Sequence, residues 1–377
     1  MTLFRPGAVL GLLGGGQLAR MTAMAARQLG LRVAVLDPDP GCAAAGLADR
    51  LVQGRFDDPA AAARLAKGCD EVTWDTERVS PEAAEAAQRE AILRPSAGVL
   101  AIVGDRIAQK SWLSAHGFPL ARWEAARSPA ELGAARSLLG RCRAKSAQGG
   151  YDGRGQWKLD ADTATEEVFA KLGGCVVEEE VALSHELSVL VARGGDGALG
   201  VYPVARNWHV DGVLSRTLLP ASLDPLLERR AVELAQEIAA ALGIVGLLTV
   251  ELFVTEGGRL LVNEVAARTH NTFHGTVEGC FTGQFEQLVR VLFDLPLGST
   301  ESRTTTLLLN LLGDDWLPPR KPEVAAALST PGVSVHLYGK TPRPGRKLGH
   351  FVVSGRPGDG DIHLRAEQVL QRFRGDL

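Results

Sequence analysis

The stretch "AVLGLLGGGQLARMTAMAARQLGLRVAVLD", from Ala8 to Asp37, constrains the fold more than any other part of the chain. It reads as an apolar strand, a glycine turn, a helix and a second apolar strand. Strands joined through a crossover helix run parallel, so the N-terminal region is expected to be a parallel sheet with flanking helices. A helix over Pro81–Glu90 is broken by "LRPS", and "DRIAQKSWLSAHGFP" reads as a helix opening at Asp105 and ending near Gly117. From about Arg141 the texture changes. "RCRAKSA" and "GCVVEEEVAL" read as strands around a glycine loop, and "HELSVLVARG" and "LGVYPVARNWHVDG" as an antiparallel pair about a Gly-Asp-Gly turn. "DPLLERRAVELAQEIAAALG" has apolar residues at helical spacing. "VSVHLYGK" and "LGHFVVSG" suggest a small β-rich third domain, and 377 residues are enough for two or three domains.

A net charge of −3 gives no global attraction to nucleic acid or anionic membrane. The longest charge-free run, Val324 to Gly339, has 16 residues and a proline, too short and too polar to span a bilayer. The start lacks the charged, apolar and small-residue regions of a signal peptide. Five scattered cysteines with no CxxC pair suggest neither a disulfide framework nor a zinc site. A reduced cytoplasm is the expected location.

Gly14-Gly15-Gly16-Gln17-Leu18-Ala19 fits G-x-G-x-x-A between strand and helix, and Asp37 ends the next strand where a ribose-binding acid would stand. Taken alone, this suits NAD(P) and equally a tight turn in any Rossmann-like domain. No hydride-transfer group follows it.

A second constellation carries more chemistry. In "VELFVTEGGRLLVNEV", a two-residue loop at Gly257-Gly258 would set Glu256 opposite Arg259 and Glu251 opposite Glu264. Like charges directly across a sheet are destabilising unless a divalent cation lies between them. Asn263 adds an amide oxygen. Lys145 precedes the loop "GGYDGRGQ", which supplies backbone N–H groups for polyphosphate without being a P-loop. Arg106 and Lys110 share a helix face. "EEEV", Glu178 to Val181, ends a strand and could meet an adenine, with Glu186 following.

These residues resemble the ATP-grasp enzymes and, within them, the N5-carboxyaminoimidazole ribonucleotide synthetases of purine biosynthesis. The likeness runs from "GLLGGGQLARM" through "GDRIAQK", "GGYDGRGQ", "HELSVLVARG" and "NEVAARTHN" to "HLYGKTPRPGRKLGH". "GGYDGRGQ" and the last motif are particular to this branch. The resemblance implies an α/β chain with an α+β lid: a Rossmann-like N-terminal domain over 1–101, an ATP-grasp domain over 102–295 with its lid at about 113–185, and a small C-terminal domain over 296–377. It implies ATP- and bicarbonate-dependent carboxylation of 5-aminoimidazole ribonucleotide through carboxyphosphate, with Mg²⁺ or Mn²⁺, in a homodimer. Arg106, Lys145 and the backbone of Gly150, Tyr151, Asp152, Gly153, Arg154, Gly155 and Gln156 are then expected to hold ATP phosphates. Glu178, Glu179, Glu180, Val181 and Glu186 would hold adenine and ribose, with His209 at the nucleotide site. Glu251 and Glu264 would hold the metal, and Asn263 Mg-ATP. Gln17, Glu77, Tyr151, Asp152, Arg268, His270, Asn271, Thr272, Lys340 and Arg346 would surround the ribonucleotide, with Asp152, Arg268 and Lys340 catalytic. The family's aspartate faces the acceptor amine, which accounts for an acid within a phosphate-binding loop.

The chain departs from the family's N-E-x-A-P-R-x-H-N-S-G-H-W-T at Ala267, Thr272, Phe273 and Gly275. Phe273 and Gly275 suggest an exchange of bulk, and Thr272 keeps a hydroxyl for a phosphate. Asp75 stands where the family has Glu, while Glu77 keeps the second acid. His270 and His274 have a metal-like spacing but no HExxH helix. The competing functions are a formate-using glycinamide ribonucleotide transformylase, an NAD(P) oxidoreductase and a non-catalytic ATP-binding regulator.

Overall fold

The computed structural model describes residues 4–150, 155–355 and 360–375. The first sheet holds β1 (Val9–Leu13), β2 (Arg32–Asp37), β3 (Arg50–Gln53), β4 (Glu71–Trp74) and β5 (Ile92–Leu93) in the order β3-β2-β1-β4-β5, all parallel. β2 is buried from Val33 to Asp37, as an apolar strand covered on both faces must be. A second sheet has four antiparallel strands: β6 (Trp123–Ala126), β7 (Cys142–Ser146), β8 (Gln156–Leu159) and β9 (Cys175–Glu179), in the order β6-β9-β7-β8. It keeps a small core of its own around Leu132, Cys175 and Val177.

The third sheet is the largest. Its strands are β10 (Leu183–Arg193), β11 (Leu199–Val201), β12 (Ala205–Val210), β13 (Val213–Leu219), β14 (Gly246–Thr255), β15 (Leu260–Ala266), β16 (Thr305–Leu312), β17 (Val333–Leu337) and β18 (Lys347–Gly355). Their order is β15-β14-β10-β12-β13-β16-β18-β17, with β11 beside β10. The three C-terminal strands thus continue this sheet through the β13–β16 pairing, with a local core around Leu309, Phe351 and Phe373. One apolar cluster joins Leu13 and Trp74 of the first sheet to Leu187, Ile238 and Val250, so the first and third sheets share a core. The helix Pro225–Leu242 buries Ala231, Ala235 and Ala239, small residues that let it lie close to the sheet. Among the described residues no helix is long and apolar enough to cross a membrane.

The β14–β15 hairpin corrects one expectation. The turn is Glu256-Gly257-Gly258, with the Thr255 N–H bonded to the Arg259 carbonyl at 3.0 Å. Thr255, not Glu256, therefore lies opposite Arg259. The extra turn residue shifts the register by one, and a bulge at Asn263 shifts it back. Glu251 still pairs with Glu264, and Gly258 takes the left-handed turn position at φ 73°.

Candidate functional site

The three sheets meet around a cavity of about 1280 Å³. Strands β14 and β15 contribute Glu251, Asn263 and Glu264, and β7 and β9 contribute Lys145 and Glu178. The N-terminal unit contributes Gln17, from the helix Gln17–Gln28, and Asp75 and Glu77, from the segment after β4. Segment 340–347 contributes Lys340, Arg346 and Lys347. Arg106, Gly150, Gln156, Glu179, Glu180, Val181, Glu186, His209, Arg268, His270 and Asn271 also reach it. Tyr151, Asp152, Gly153 and Arg154 lie outside the described residues. Gly155 and Thr272 are not on the cavity surface. Thr272 is buried, and its hydroxyl has no hydrogen-bond partner among the described residues.

One corner of the cavity is built from paired charges. The Glu178 carboxylate lies 2.5 Å from both Lys110 Nζ and Lys145 Nζ, all three side chains nearly buried. Burial pushes the Glu178 carboxyl up, but Lys145 and Lys110 outweigh it and bring it down to about 2. Its side chain is thus occupied by lysines, leaving Glu179–Val181 to face the cavity. The Asp105 carboxylate accepts from the Ile107 and Ala108 N–H groups at 2.8 and 3.0 Å, capping the helix Arg106–Ala115 that carries Arg106 and Lys110.

Next to this corner, Glu251 and Glu264 face each other across β14 and β15. Arg106 bonds the Glu264 carboxylate, and Asn263 Nδ2 donates to Glu251 Oε2 at 3.2 Å. Asn263 Oδ1 accepts from Lys145 Nζ at 3.0 Å. Burial and the neighbouring Glu264 charge push the Glu251 carboxyl up to about 7, whereas Arg106 overcomes burial and holds Glu264 at about 2. Two carboxylates and one amide oxygen suit a hard divalent cation that completes its shell with phosphate and water. Among the described residues no group of three or more His, Cys, Asp or Glu gathers as a metal cage.

The remaining surface joins the N-terminal unit to Arg268 and to segment 340–347. Arg268 Nε bonds Glu77 at 2.8 Å, and Lys340 bonds Gln17. His270 Nδ1 accepts from the Thr272 N–H at 3.4 Å, so its Nε2 hydrogen is directed to Glu251 Oε1, 3.4 Å away. Burial and the Arg268 charge push the His270 imidazole down to about 3, so it is neutral at pH 7. His209 Nδ1 lies 2.8 Å from Glu186, whose carboxylate holds the imidazole above its ordinary value despite burial. Arg346 donates to the Thr341 carbonyl at 3.0 Å, steadying its own loop. Lys347 was not singled out in the sequence. Its position next to Arg346 in "RPGRKLGH" was the available signal, and it proves to be a nearly buried cation at the cavity.

The glycine motif does not present a free anion site. Asp37 Oδ2 accepts from the Gly15 N–H at 2.9 Å, while Asp75 Oδ2 accepts from Gly16 and Ala19 at 3.1 Å. The helix N-terminus where a pyrophosphate would bind is filled by a protein carboxylate. A Cβ at Gly14 would come within 1.7 Å of Asp75 Oδ1, so the glycine makes room for that acid. Phe273 is fully buried, its ring centroid 6.4 Å from that of Tyr202, and does not reach the cavity. A Cβ at Gly275 would lie 2.7 Å from the Thr306 hydroxyl, which excludes a side chain there.

Comparison with known proteins gives the family. The chain matches family models of the ribonucleotide synthetase preATP-grasp domain over residues 8–104, the ATP-grasp domain over 111–285, and the phosphoribosylaminoimidazole carboxylase C-terminal domain over 306–359. It is 37% identical to the N5-carboxyaminoimidazole ribonucleotide synthase of Brucella melitensis, covering 93% of this chain and 97% of that one. The chain belongs to the N5-carboxyaminoimidazole ribonucleotide synthase family. The Bacillus subtilis synthase is 35% identical over 98% of this chain and 97% of its own. A crystal structure of the Aspergillus clavatus synthase in complex with ADP and 5-aminoimidazole ribonucleotide superimposes with a TM-score of 0.88, at 30% identity, covering 98% of this chain and 99% of that one. As a member of this family the chain is an ATP-dependent ligase with an ATP-grasp domain. Neither the oxidoreductase nor the transformylase reading is favoured.

Proposed function

We propose that this chain carboxylates the amino nitrogen of 5-aminoimidazole ribonucleotide, consuming ATP and bicarbonate. The observation that carries the reading is the shared cavity. It sets a lysine and carboxylate corner suited to polyphosphate against the surface of Arg268, His270, Asn271 and Lys340. A bicarbonate oxygen attacks the γ-phosphorus, and ADP leaves with the bridging electron pair. The substrate nitrogen then attacks the carboxyl carbon of carboxyphosphate, the C–O bond to phosphate breaks, and the nitrogen loses a proton to a base. Arg106, Lys145 and the loop backbone from Gly150 to Gln156 orient the phosphates. Glu179–Val181 and Glu186 face adenine and ribose, with His209 braced on Glu186. Glu251, Glu264 and Asn263 would hold Mg²⁺, which when bound offsets charge on the polyphosphate. Gln17, Glu77, Arg268, Lys340 and Arg346 hold the ribonucleotide, and Asp152 takes the proton as the nitrogen attacks. Thr272 is left out of this set, because its hydroxyl is buried away from the cavity.

The four-stranded sheet would act as a lid that closes on ATP, slowing amide exchange around Gly149–Gln156. Five unpaired cysteines support a reducing cytoplasm, and a homodimer is the assembly proposed. The function is tested by ADP release and by transfer of ¹³C from bicarbonate to the product. Release that needs both 5-aminoimidazole ribonucleotide and bicarbonate is expected. Release indifferent to either, or formate replacing bicarbonate, would refute the reading.

A further inference from the structure

We propose that His274 is a positioning residue, held in one tautomer by Gln284, that turns the Asn271 amide so its NH₂ group faces the cavity as a donor to an oxyanion. The orientation propagates outward from the backbone. Gln284 is fully buried at the start of the helix Gln284–Leu292. Its Oε1 accepts from the His270 N–H at 2.8 Å, and its Nε2 donates to the His270 carbonyl at 2.9 Å. Reversing that amide would set donor against donor and acceptor against acceptor. The second Nε2 hydrogen faces His274 Nδ1 at 3.5 Å. Nδ1 is then the acceptor, and the ring hydrogen sits on Nε2. That nitrogen donates to Asn271 Oδ1 at 3.1 Å, which leaves the Asn271 NH₂ directed away from the ring. The structure shows no partner for that NH₂ among the described residues, and Asn271 lines the cavity beside Arg268 and His270.

The imidazole of His274 has little freedom. It stacks on His350 at 4.5 Å and on Phe285 at 5.5 Å, and His336 stacks on His350 at 4.7 Å. Burial, and then His350, push its basicity well down, so the ring stays neutral. A protonated ring would donate from both nitrogens and oppose Gln284.

A neutral NH₂ donor next to an arginine suits an anionic, acceptor-only ligand. Bicarbonate-derived carboxyphosphate and the ribonucleotide phosphate share that chemistry. This ligand assignment rests on the proposed function, whereas the tautomer does not.

Long-range ¹H–¹⁵N spectra of the histidine-labelled full chain read the tautomer in the wild-type protein, with His274→Phe assigning the signal. A bare Nδ1 and protonated Nε2 are expected. An Nδ1–H tautomer or an imidazolium at neutral pH overturns the proposal. In kinetics, His274→Phe keeps a ring in the stack and should raise KM for bicarbonate or for the ribonucleotide about tenfold, with KM for ATP unchanged. Which KM moves identifies the oxyanion. His274→Gln retains an amide donor and should stay within about threefold of wild type. The double variant His274→Phe/Asn271→Ala should be no weaker than Asn271→Ala alone. Effects that multiply, or an unchanged KM for both oxyanion substrates, overturn the role. A wild-type chain that forms no carboxylated product refutes the proposed function, and the tautomer spectra still decide this inference.

Discussion

Glu178→Gln keeps the shape of the side chain and removes its charge. Lys110 and Lys145, with side chains 5% and 11% exposed, would then share a site without their common counter-charge. Breaking a buried pair in this way costs about 3–5 kcal/mol. Linkage gives the same size, because a carboxyl held at about 2 against an ordinary 4.5 corresponds to about 3 kcal/mol at neutral pH. The folded value lies below the unfolded one, so this stability is complete above about pH 4.5 and is lost as pH falls toward 2. Unfolding a chain of 377 residues carries about 0.8 kcal/mol/K of entropy, so Tm should fall by about 4 °C. ATP affinity, by calorimetry, should hold or rise, because a negative charge leaves the phosphate corner. Lys110→Met added to Glu178→Gln should restore much of the lost Tm, since both halves of one pair are then gone. An unchanged Tm with ATP affinity down more than tenfold would show instead that Glu178 holds the nucleotide directly, and the lysine-clamp reading would fall.

Glu251→Gln should abolish Mg²⁺-dependent ATP turnover. Burial and the Glu264 charge push the folded Glu251 carboxyl up from its ordinary 4.5 to about 7, so the wild-type protein should lose stability as pH rises through that window. In chelator the variant should therefore have the higher Tm at pH 8, with the gap closing near pH 4.5; parallel Tm curves would contradict this. Phe273→Gly should destabilise by about 3–5 kcal/mol in denaturant titrations, as large core truncations do. It should not tighten ribonucleotide binding, because the ring lies in the core. Asp152→Asn should retain ATP binding while carboxylation falls about 10²–10⁴-fold, whereas Lys145→Met should weaken ATP binding first. Equal losses of ATP affinity in the two variants would move Asp152 to the nucleotide.

Local pattern carried much of the fold. The crossover unit at Ala8–Asp37, the helix capped by Asp105 and the long helix after Asp224 were legible because period, cap and breaker residues sit within a few positions of one another. The Glu251–Glu264 pair was reached through a turn one residue too short, and the bulge at Asn263 cancelled the error. Bulges follow from packing, which pattern does not encode. The glycine motif pointed to an anion, and the group bound there is the Asp75 carboxylate, just past β4 and 59 positions away from Gly16. The pairing of Glu178 with two lysines was not legible, because they come from other elements, 68 and 33 positions earlier. The Gln284–His274–Asn271 relay was invisible for a related reason. Hydrogen-bond direction depends on which backbone groups meet a side chain, and only the fold sets that.

Lys340 bonds Gln17, a contact between residues 323 positions apart. The phosphate corner, by contrast, draws on Arg106 through Glu264. As the chain is synthesised, the nucleotide half of the cavity is complete in sequence long before the segment that carries Lys340 emerges. A chain folded to about residue 300 would hold the means to bind ATP and lack the cation that meets the first sheet. The order of synthesis therefore separates the two capacities in time. On the proposed assignment of Lys340, carboxylation would become available only when the C-terminal strands have joined β13 and brought Lys340 to Gln17.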